Sequence, residues 1–429
     1  MNVRRYNRSL VKPCEETPST ILHLSQIDSL PVLKCNARTL HVFRDSPSEA
    51  TPAAIVREAL SKALVPYYPL AGRLKPQTYP LQLDCSNQNH GVLFVEASSN
   101  STLASLNYLD DLTSIPFHLL LPEEHESEES ESESEAEALV QMQITEFACG
   151  GFVMGLIFCH SICDGLGAAQ FLNAVGEFSR GIDSAPTIKP TWDRDFFPDS
   201  SQNALINHQI AIPIPPLPKY SLQHTNIDIP IDRINRLKKQ FQESTGITCS
   251  TFEIVAACFW RSRTRAVYNN DQEVKLVFFA NCRQMVEPPL PKGFYGNCFF
   301  PVRISGWSRE IGEASINEVV KLIQEAKSRV GREFGEYISQ KQKESDPFAP
   351  PLEYSTLFIS EWGRLGFNQV DYGSGPPVHV VPIQGSPVIP VGIVGSLPLP
   401  RKGIRLMTWC VQEPHRLNFL HQISQLLLL

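Results

Sequence analysis

Residues 152–158, "FVMGLIF", carry no polar side chain on either face. A strand that alternates apolar and polar residues can keep one face in water. A strand apolar on both faces has to lie inside a sheet that is covered on both sides. Just before it, Val140, Met142 and Ile144 alternate with Gln141, Gln143 and Thr145, and Gly150-Gly151 supplies a turn, so the two runs predict a hairpin. The buried strand runs into "CHSICDG" (159–165). Beyond that, Leu166, Ala169, Phe171, Leu172 and Val175 predict an amphipathic helix over 166–181 closed by Gly181. A histidine thus stands where a central strand turns into a helix, the place where open sheets form clefts.

The grammar repeats. Ile55, Ala59, Leu60, Ala63 and Leu64 predict a helix that Pro66 and Pro69 end, and "LQLDC" and "GVLFVEA" read as a strand pair. Prolines crowd residues 186–220, the clearest crossover in the chain. After it, "DRINRLKKQFQES" and 250–266 read as helices, the second opened by Ser250 with Glu253 three residues on, a capping box. Residues 274–283 read as a buried strand, 312–330 as one helix, and "YSTLFISEW", "VHVVPI", "PVIPVGIVGSLPL" and "IRLMTWCV" as late strands. A chain of 429 residues exceeds one ordinary core. The expectation is an α/β or α+β protein of two comparable domains, 1–185 and 222–429, joined by a crossover at 186–221.

The net charge of −7 comes from one place. Residues 123–138 hold nine glutamates and no base, and without them the remainder stands at +2. Alternating Glu and Ser bury too little to offset chain entropy, so this run reads as a disordered surface loop. The near-neutral body has no basic stripe for nucleic acid. The first twenty residues lack the apolar core of a secretory signal, and no run of 18 apolar residues exists to span a membrane. Eleven cysteines at irregular spacing fit reduced thiols, hence a cytoplasmic protein.

Histidine is the side chain that titrates near neutrality unaided, which suits His160 to removing a proton from a hydroxyl or amine. Asp164 lies one turn later. Gly165 permits a backbone conformation that a Cβ would penalise. Cys159, His160 and Cys163 do not make a zinc site, because no second Cys or His pair follows at ligand spacing. Gly373-Ser374-Gly375 is not a nucleophile elbow either, since G-x-S-x-G needs glycine where Tyr372 stands.

His160–Gly165 with "DYGSG" (371–375) resembles the plant BAHD acyltransferase family, whose motifs are HxxxDG and a downstream DFGWG. "YYPLAGRL" (67–74), residues 145–181, "FYGNCFFPV" (294–302) and residues 362–382 look like family segments in family order. The branch they resemble most uses benzoyl- or hydroxycinnamoyl-CoA on alcohols, monolignols or taxane-like terpenoids, with acetyl as the further acyl group the resemblance allows. The resemblance implies a chloramphenicol-acetyltransferase-like fold: two similar domains, each a mixed sheet with flanking helices, and a channel between them. It implies a monomer that binds no cofactor and takes acyl-CoA as co-substrate, with a small alcohol or amine as acceptor. His160 is then the general base. Asp164 either forms a dyad with it or, as the family implies, turns away to pair with Arg283. Asp371 is counted among the catalytic candidates, although in the family it lies apart from the histidine and shapes the interface. Gly165, Gly373, Ser374 and Gly375 form the motif region, where family tryptophan at 374 would offer an N–H to the oxyanion. Ser250 and Thr251 are either an ordinary helix cap or, on the resemblance, a contact for CoA. Two other readings remain: a catalytically weak ligand- or partner-binding relative, suggested by Ser374 and the acidic run, and a thioester hydrolase.

Overall fold

The computed structural model describes the chain except residues 47–49, 76–77, 79, 88–89, 112–114, 124–137, 183–184, 197–219, 340–345, 350, 384–388 and 428–429. Almost all of the acidic run and most of the expected crossover lie outside the described residues.

The first half contributes β1 (Val3–Val11), β2 (Ile21–His23), β3 (Asn36–Phe43), helix α1 (Pro52–Ala63), β4 (Arg73–Lys75), β5 (Gln82–Asp84), β6 (Val92–Ser99), β7 (Val140–Phe147), β8 (Phe152–Cys159) and helix α2 (Gly165–Ser179). β7 and β8 form the expected antiparallel hairpin, and β8 lies between β7 and β3 with Phe152–Phe158 all buried. The strand pairing expected of 81–85 with 91–97 does not occur. β5 joins β2 and β4 in a small three-stranded sheet, whereas β6 pairs antiparallel with β1 and parallel with β7. Alternation announces a strand but not its partner, and β6, almost wholly buried, takes an interior position next to the edge strand β1.

The second half contributes β9 (Leu222–Pro230), α3 (Ile231–Thr245), α4 (Thr251–Val267), β10 (Glu273–Asn281), β11 (Phe299–Trp307), α5 (Ser308–Glu313), α6 (Ile316–Ile338), β12 (Thr356–Glu361), β13 (His379–Pro382), β14 (Val391–Ser396), β15 (Gly403–Gln412) and α7 (Glu413–Leu427). The single helix expected over 312–330 is broken. Ser315 closes a capping box with Glu318, and this starts α6 as a new helix just after α5 ends.

Two mixed six-stranded sheets result, ordered β1-β6-β7-β8-β3-β13 and β11-β10-β12-β14-β15-β9. The two lobes are not separable by sequence. β13 belongs to the second half of the chain yet pairs with β3 in the first sheet, His379 opposite Val42. Tyr295, Phe367, Val370 and Tyr372 likewise pack in the first lobe's core, beside Phe43, Phe152 and Leu172. The domain expected over 222–429 is corrected to that extent. Among the described residues no helix is long and apolar enough to cross a membrane.

Two histidines are sealed into this first sheet. His41 on β3 pairs its Nε2 with Thr39 Oγ1 at 2.9 Å, and His379 on β13 faces the Tyr108 carbonyl at 3.4 Å. Burial pushes His41 down to about 3; burial, then Arg405, pushes His379 down to about 4. Both lie below the ordinary 6.5, so the fold holds them neutral while the unfolded chain would protonate them. Their contribution is complete above about pH 6.5 and is lost as pH falls toward 4 and 3. Thermal unfolding from pH 7 to 4 is expected to show a falling midpoint, and His41→Phe a shallower fall.

Candidate active site

His160 follows β8 directly, and main chain holds it on both sides. Its N–H donates to the Cys35 carbonyl at 2.9 Å, and its carbonyl accepts from Asn297 Nδ2 at 2.8 Å. His160 is partly exposed as a residue, with its ring Nδ1 buried, and the ring sits beside Phe158 and edge-on to Phe299, with centroids 6.2 and 6.5 Å away. Phe299 lies on β11, so both lobes contribute to the surroundings of the imidazole.

Asp164 does not reach that imidazole. Its carboxylate caps α2, accepting from the Gly167 N–H at 3.0 Å, and takes the Arg283 guanidinium in a two-pronged pair, both contacts 2.8 Å. Arg283 spends its other hydrogens on the Gly296 carbonyl at 2.6 Å and on Asn281 Oδ1 at 3.2 Å. Burial works against the guanidinium's charge, but the facing Asp164 carboxylate outweighs it and raises the Arg283 pKa above its ordinary value. A carboxylate filled by a helix cap and an arginine orients the turn and has little left to offer a base.

The reason for glycine at 165 differs from the one expected. Gly165 begins α2 and is not among the residues with positive φ. A Cβ there would come within 2.6 Å of Leu365 Cδ1, and one at Gly167 within 1.9 Å of the Tyr295 carbonyl. At Gly167 the second half's backbone leaves no room for a Cβ, whereas at Gly165 the end of the Leu365 side chain would have to shift.

The second motif lies far from His160. β3 runs antiparallel to β8 with Asn36 opposite Cys159, and Ser374 Oγ donates to the carbonyl of Asp45, past the other end of β3. The extended strand from Asn36 to Phe43 alone measures roughly 23 Å, and Asp45 lies beyond its end. Helix α2 gives a second ruler. Arg180, just beyond it, reaches the Asp371 carbonyl and carboxylate, and the helix from Asp164 to Arg180 measures roughly 24 Å. Asp371, Gly373, Ser374 and Gly375 are thus corrected from catalytic and oxyanion candidates to a structural loop. Asp371 Oδ1 accepts from the N–H groups of Gly373 and Gly375, at 2.8 and 2.9 Å, and both glycines have positive φ. Between them and β3, Tyr372 enters the first lobe's core beside Phe43 and donates its hydroxyl to Met154 Sδ. Replacement of Ser374 by tryptophan is accordingly expected to leave kcat and the range of accepted acyl-CoAs within about twofold of the parent. Asp371→Ala should lower the unfolding midpoint and spare kcat. Steady-state rates beside thermal melts check both.

At the start of α4, Ser250 and Glu253 make their reciprocal cap, with Ser250 Oγ accepting at 3.2 Å and Glu253 accepting at 2.9 Å. Gln324 and Lys327 also hold Glu253. A phosphate arriving at Thr251 would meet this carboxylate and ammonium together. Among the described residues no group of three or more His, Cys, Asp or Glu is placed to hold a metal ion. All eleven cysteines are described and none forms a disulfide.

Sequence reading missed Asp28, Arg194 and Asn297. The Asp28 and Arg194 side chains are wholly buried and paired with each other, and Asn297 is buried between Asp28 and His160. One signal was available: Asp28 is the only charge in the mainly apolar "LSQIDSLPVL".

The chain resembles known proteins along nearly all its length. The family model described as "Transferase family" matches residues 1–388. The rice (Oryza sativa subsp. japonica) protein "Acyl transferase 4" is 38% identical over 446 residues, with 98% of each chain covered. A Crocosmia x crocosmiiflora protein named as a myricetin 3-O-glucosyl 1,2-rhamnoside 6'-O-caffeoyltransferase is 36% identical, with 95% of each covered. Among solved structures, F. graminearum TRI101, complexed with coenzyme A and T-2 mycotoxin, superposes with a TM-score of 0.72 at 13% identity, over 92% of this chain and 96% of that one. With full-length likeness to acyltransferases and the two-lobed mixed-sheet fold, the chain belongs to the Transferase family and, within it, to the plant BAHD acyltransferases.

Proposed function

We propose that this acyltransferase moves an acyl group from acyl-CoA to a hydroxyl or amine of a plant specialised metabolite, with His160 as general base. The observation that carries the reading is the placement of His160. It is a partly exposed histidine at the end of a buried strand, held through its main chain and faced by both lobes, while the Asp164 carboxylate is committed to Arg283. In this scheme the imidazole takes the acceptor's proton as its oxygen or nitrogen bonds to the thioester carbonyl carbon. The tetrahedral adduct then collapses, the carbon–sulfur bond breaks, and the imidazolium returns its proton to the CoA thiolate. Neither a covalent enzyme intermediate nor a resident cofactor enters these steps.

An aromatic acyl group, hydroxycinnamoyl or benzoyl, is the proposed donor. The caffeoyltransferase relative supports it, as do the aromatic rings of Phe158, Phe299 and the half-exposed Phe279, which meets Phe299 edge-on at 5.1 Å. One chain supplies every group named, so a monomer is proposed with it, and a cytoplasmic one because all eleven cysteines are free thiols. Position 374 lies too far from His160 to argue for a ligand-binding relative. The test is CoA release by purified protein across a panel of acyl-CoAs, each with and without alcohol or amine acceptors. Acceptor-dependent release, highest with aromatic donors, is expected. Thioester loss independent of acceptor would make the protein a hydrolase, and no release with any pair would remove the enzymatic reading.

A further inference from the structure

The HxxxDG turn is gripped from beneath by a group that no motif contains. Asp28 is sequestered from solvent, and both its oxygens are filled. Oδ2 accepts from the Ser25 N–H at 3.0 Å, from Ser25 Oγ at 2.8 Å and from Arg194 Nη1. Oδ1 accepts from Asn297 twice, from the main-chain N–H at 3.1 Å and from Nδ2 at 2.8 Å. Both partners then reach past Asp28 to the turn. The second hydrogen of Asn297 Nδ2 goes to the His160 carbonyl at 2.8 Å, and Arg194 Nη2 donates to the Ile162 carbonyl at 2.9 Å. Arg194 is further confined over the rings of Trp192, Phe294 and Tyr295.

The chemistry dictates the orientation of the Asn297 amide. Two acceptors, a carboxylate and a carbonyl, surround its nitrogen, so NH2 must point at them and Oδ1 must point away. An ion pair that is entirely desolvated is poor value as a stabiliser, since apolar side chains of the same volume do as well. This one, however, acts together with Asn297: Arg194 holds the Ile162 carbonyl and Asn297 the His160 carbonyl, two of the four from His160 to Cys163.

We infer that Asp28, acting through Asn297 and Arg194, positions His160 by fixing the main chain of its turn. The inference rests on the reading of His160 as the base. Asp28 and Arg194 come from the first half of the sequence and Asn297 from the second. The hold on the turn therefore draws on both halves of the chain. Neither Asp28 nor Asn297 touches a reacting atom in this scheme; both are positioning residues.

The test uses the full chain labelled with 15N-histidine, with His160→Ala identifying the His160 ring signals. In Asn297→Ala, kcat is expected to fall about 10- to 100-fold with KM for both substrates within about twofold. The His160 ring signals should move or broaden while those of the other histidines stay in place. Asn297→Ser, which keeps a short donor, should fall between this variant and the parent. It decides the matter by the same two readouts if Asn297→Ala does not accumulate folded. A parent-like kcat with unmoved His160 signals overturns the inference, as does a shift of all histidine signals together, which would mark general loosening. If His160→Ala itself retains turnover, the base reading fails, and the ring signals in Asn297→Ala alone judge the positioning.

Discussion

Replacing His160 with alanine is expected to cut turnover by about 10²- to 10⁴-fold, the range for loss of a general base, and to leave the fold intact. Both halves of that expectation come from geometry. The hydrogen bonds that tie His160 into the protein use its N–H and its carbonyl, and these survive the substitution. Its ring Nδ1 has no hydrogen-bond partner, so truncation strands no donor or acceptor on a neighbour. Steady-state CoA release and thermal unfolding, measured on one preparation, separate chemistry from stability. The same measurements on Asp371→Ala should give the opposite pattern, because that carboxylate serves a loop roughly a strand's length away. Full turnover in a folded His160→Ala protein would require another group to take the proton.

Asp164 and Arg283 should behave in the reverse manner, as a matter of stability first. The pair is largely buried, with side-chain exposures of 12% and 10%, and both oxygens face the guanidinium. Removing either partner alone leaves an uncompensated charge, at a cost of about 3–5 kcal/mol. Asp164→Ala also loses the α2 cap, worth about 1 kcal/mol more. Denaturant unfolding of Asp164→Ala, Arg283→Ala and the double Asp164→Leu/Arg283→Met variant checks this. The double variant is expected to be more stable than either single one, because no charge is stranded. Asp164→Asn is the discriminating substitution. Its amide can still cap the helix but leaves the Arg283 charge unpaired, so a destabilised protein whose folded fraction has nearly normal kcat would follow from the observed geometry. A loss of activity with unchanged stability would instead point to a dyad.

The sequence disclosed the first site residue through local rules and concealed the rest for a physical reason. β8 was legible because a strand apolar on both faces has only one environment, and the capping boxes at Ser250 and Ser315 were legible because they act within four residues. Only the first of those boxes was recognised; the second hid inside a run of good helix formers and split one expected helix in two. Partnership across long separations left no such mark. Periodicity does not tell that β6 lies beside β7 and not β5, or that β13 crosses into the other lobe's sheet. Asn297 sat within a quoted segment, yet nothing local says that its amide reaches back to His160. The second motif misled for a related reason. Aspartate, glycine and serine in a short loop suit catalysis and turn-making equally, and only the position of Asp45 and Arg180 shows which of the two is at work.

The shared strand has a consequence for how such a chain is born. A ribosome finishes β3 and β8 early, but the strip of sheet that seals the flank of β3 lies roughly 200 residues downstream. At 5–20 residues per second, the nascent first lobe spends about 10–40 s with that flank uncovered and without the tyrosine plug that closes its core. During that interval neighbouring chains, including other unfinished copies, can add a strand where β13 belongs. Chaperone occupancy and translation speed through the segment between the lobes thus bear directly on the yield of native molecules.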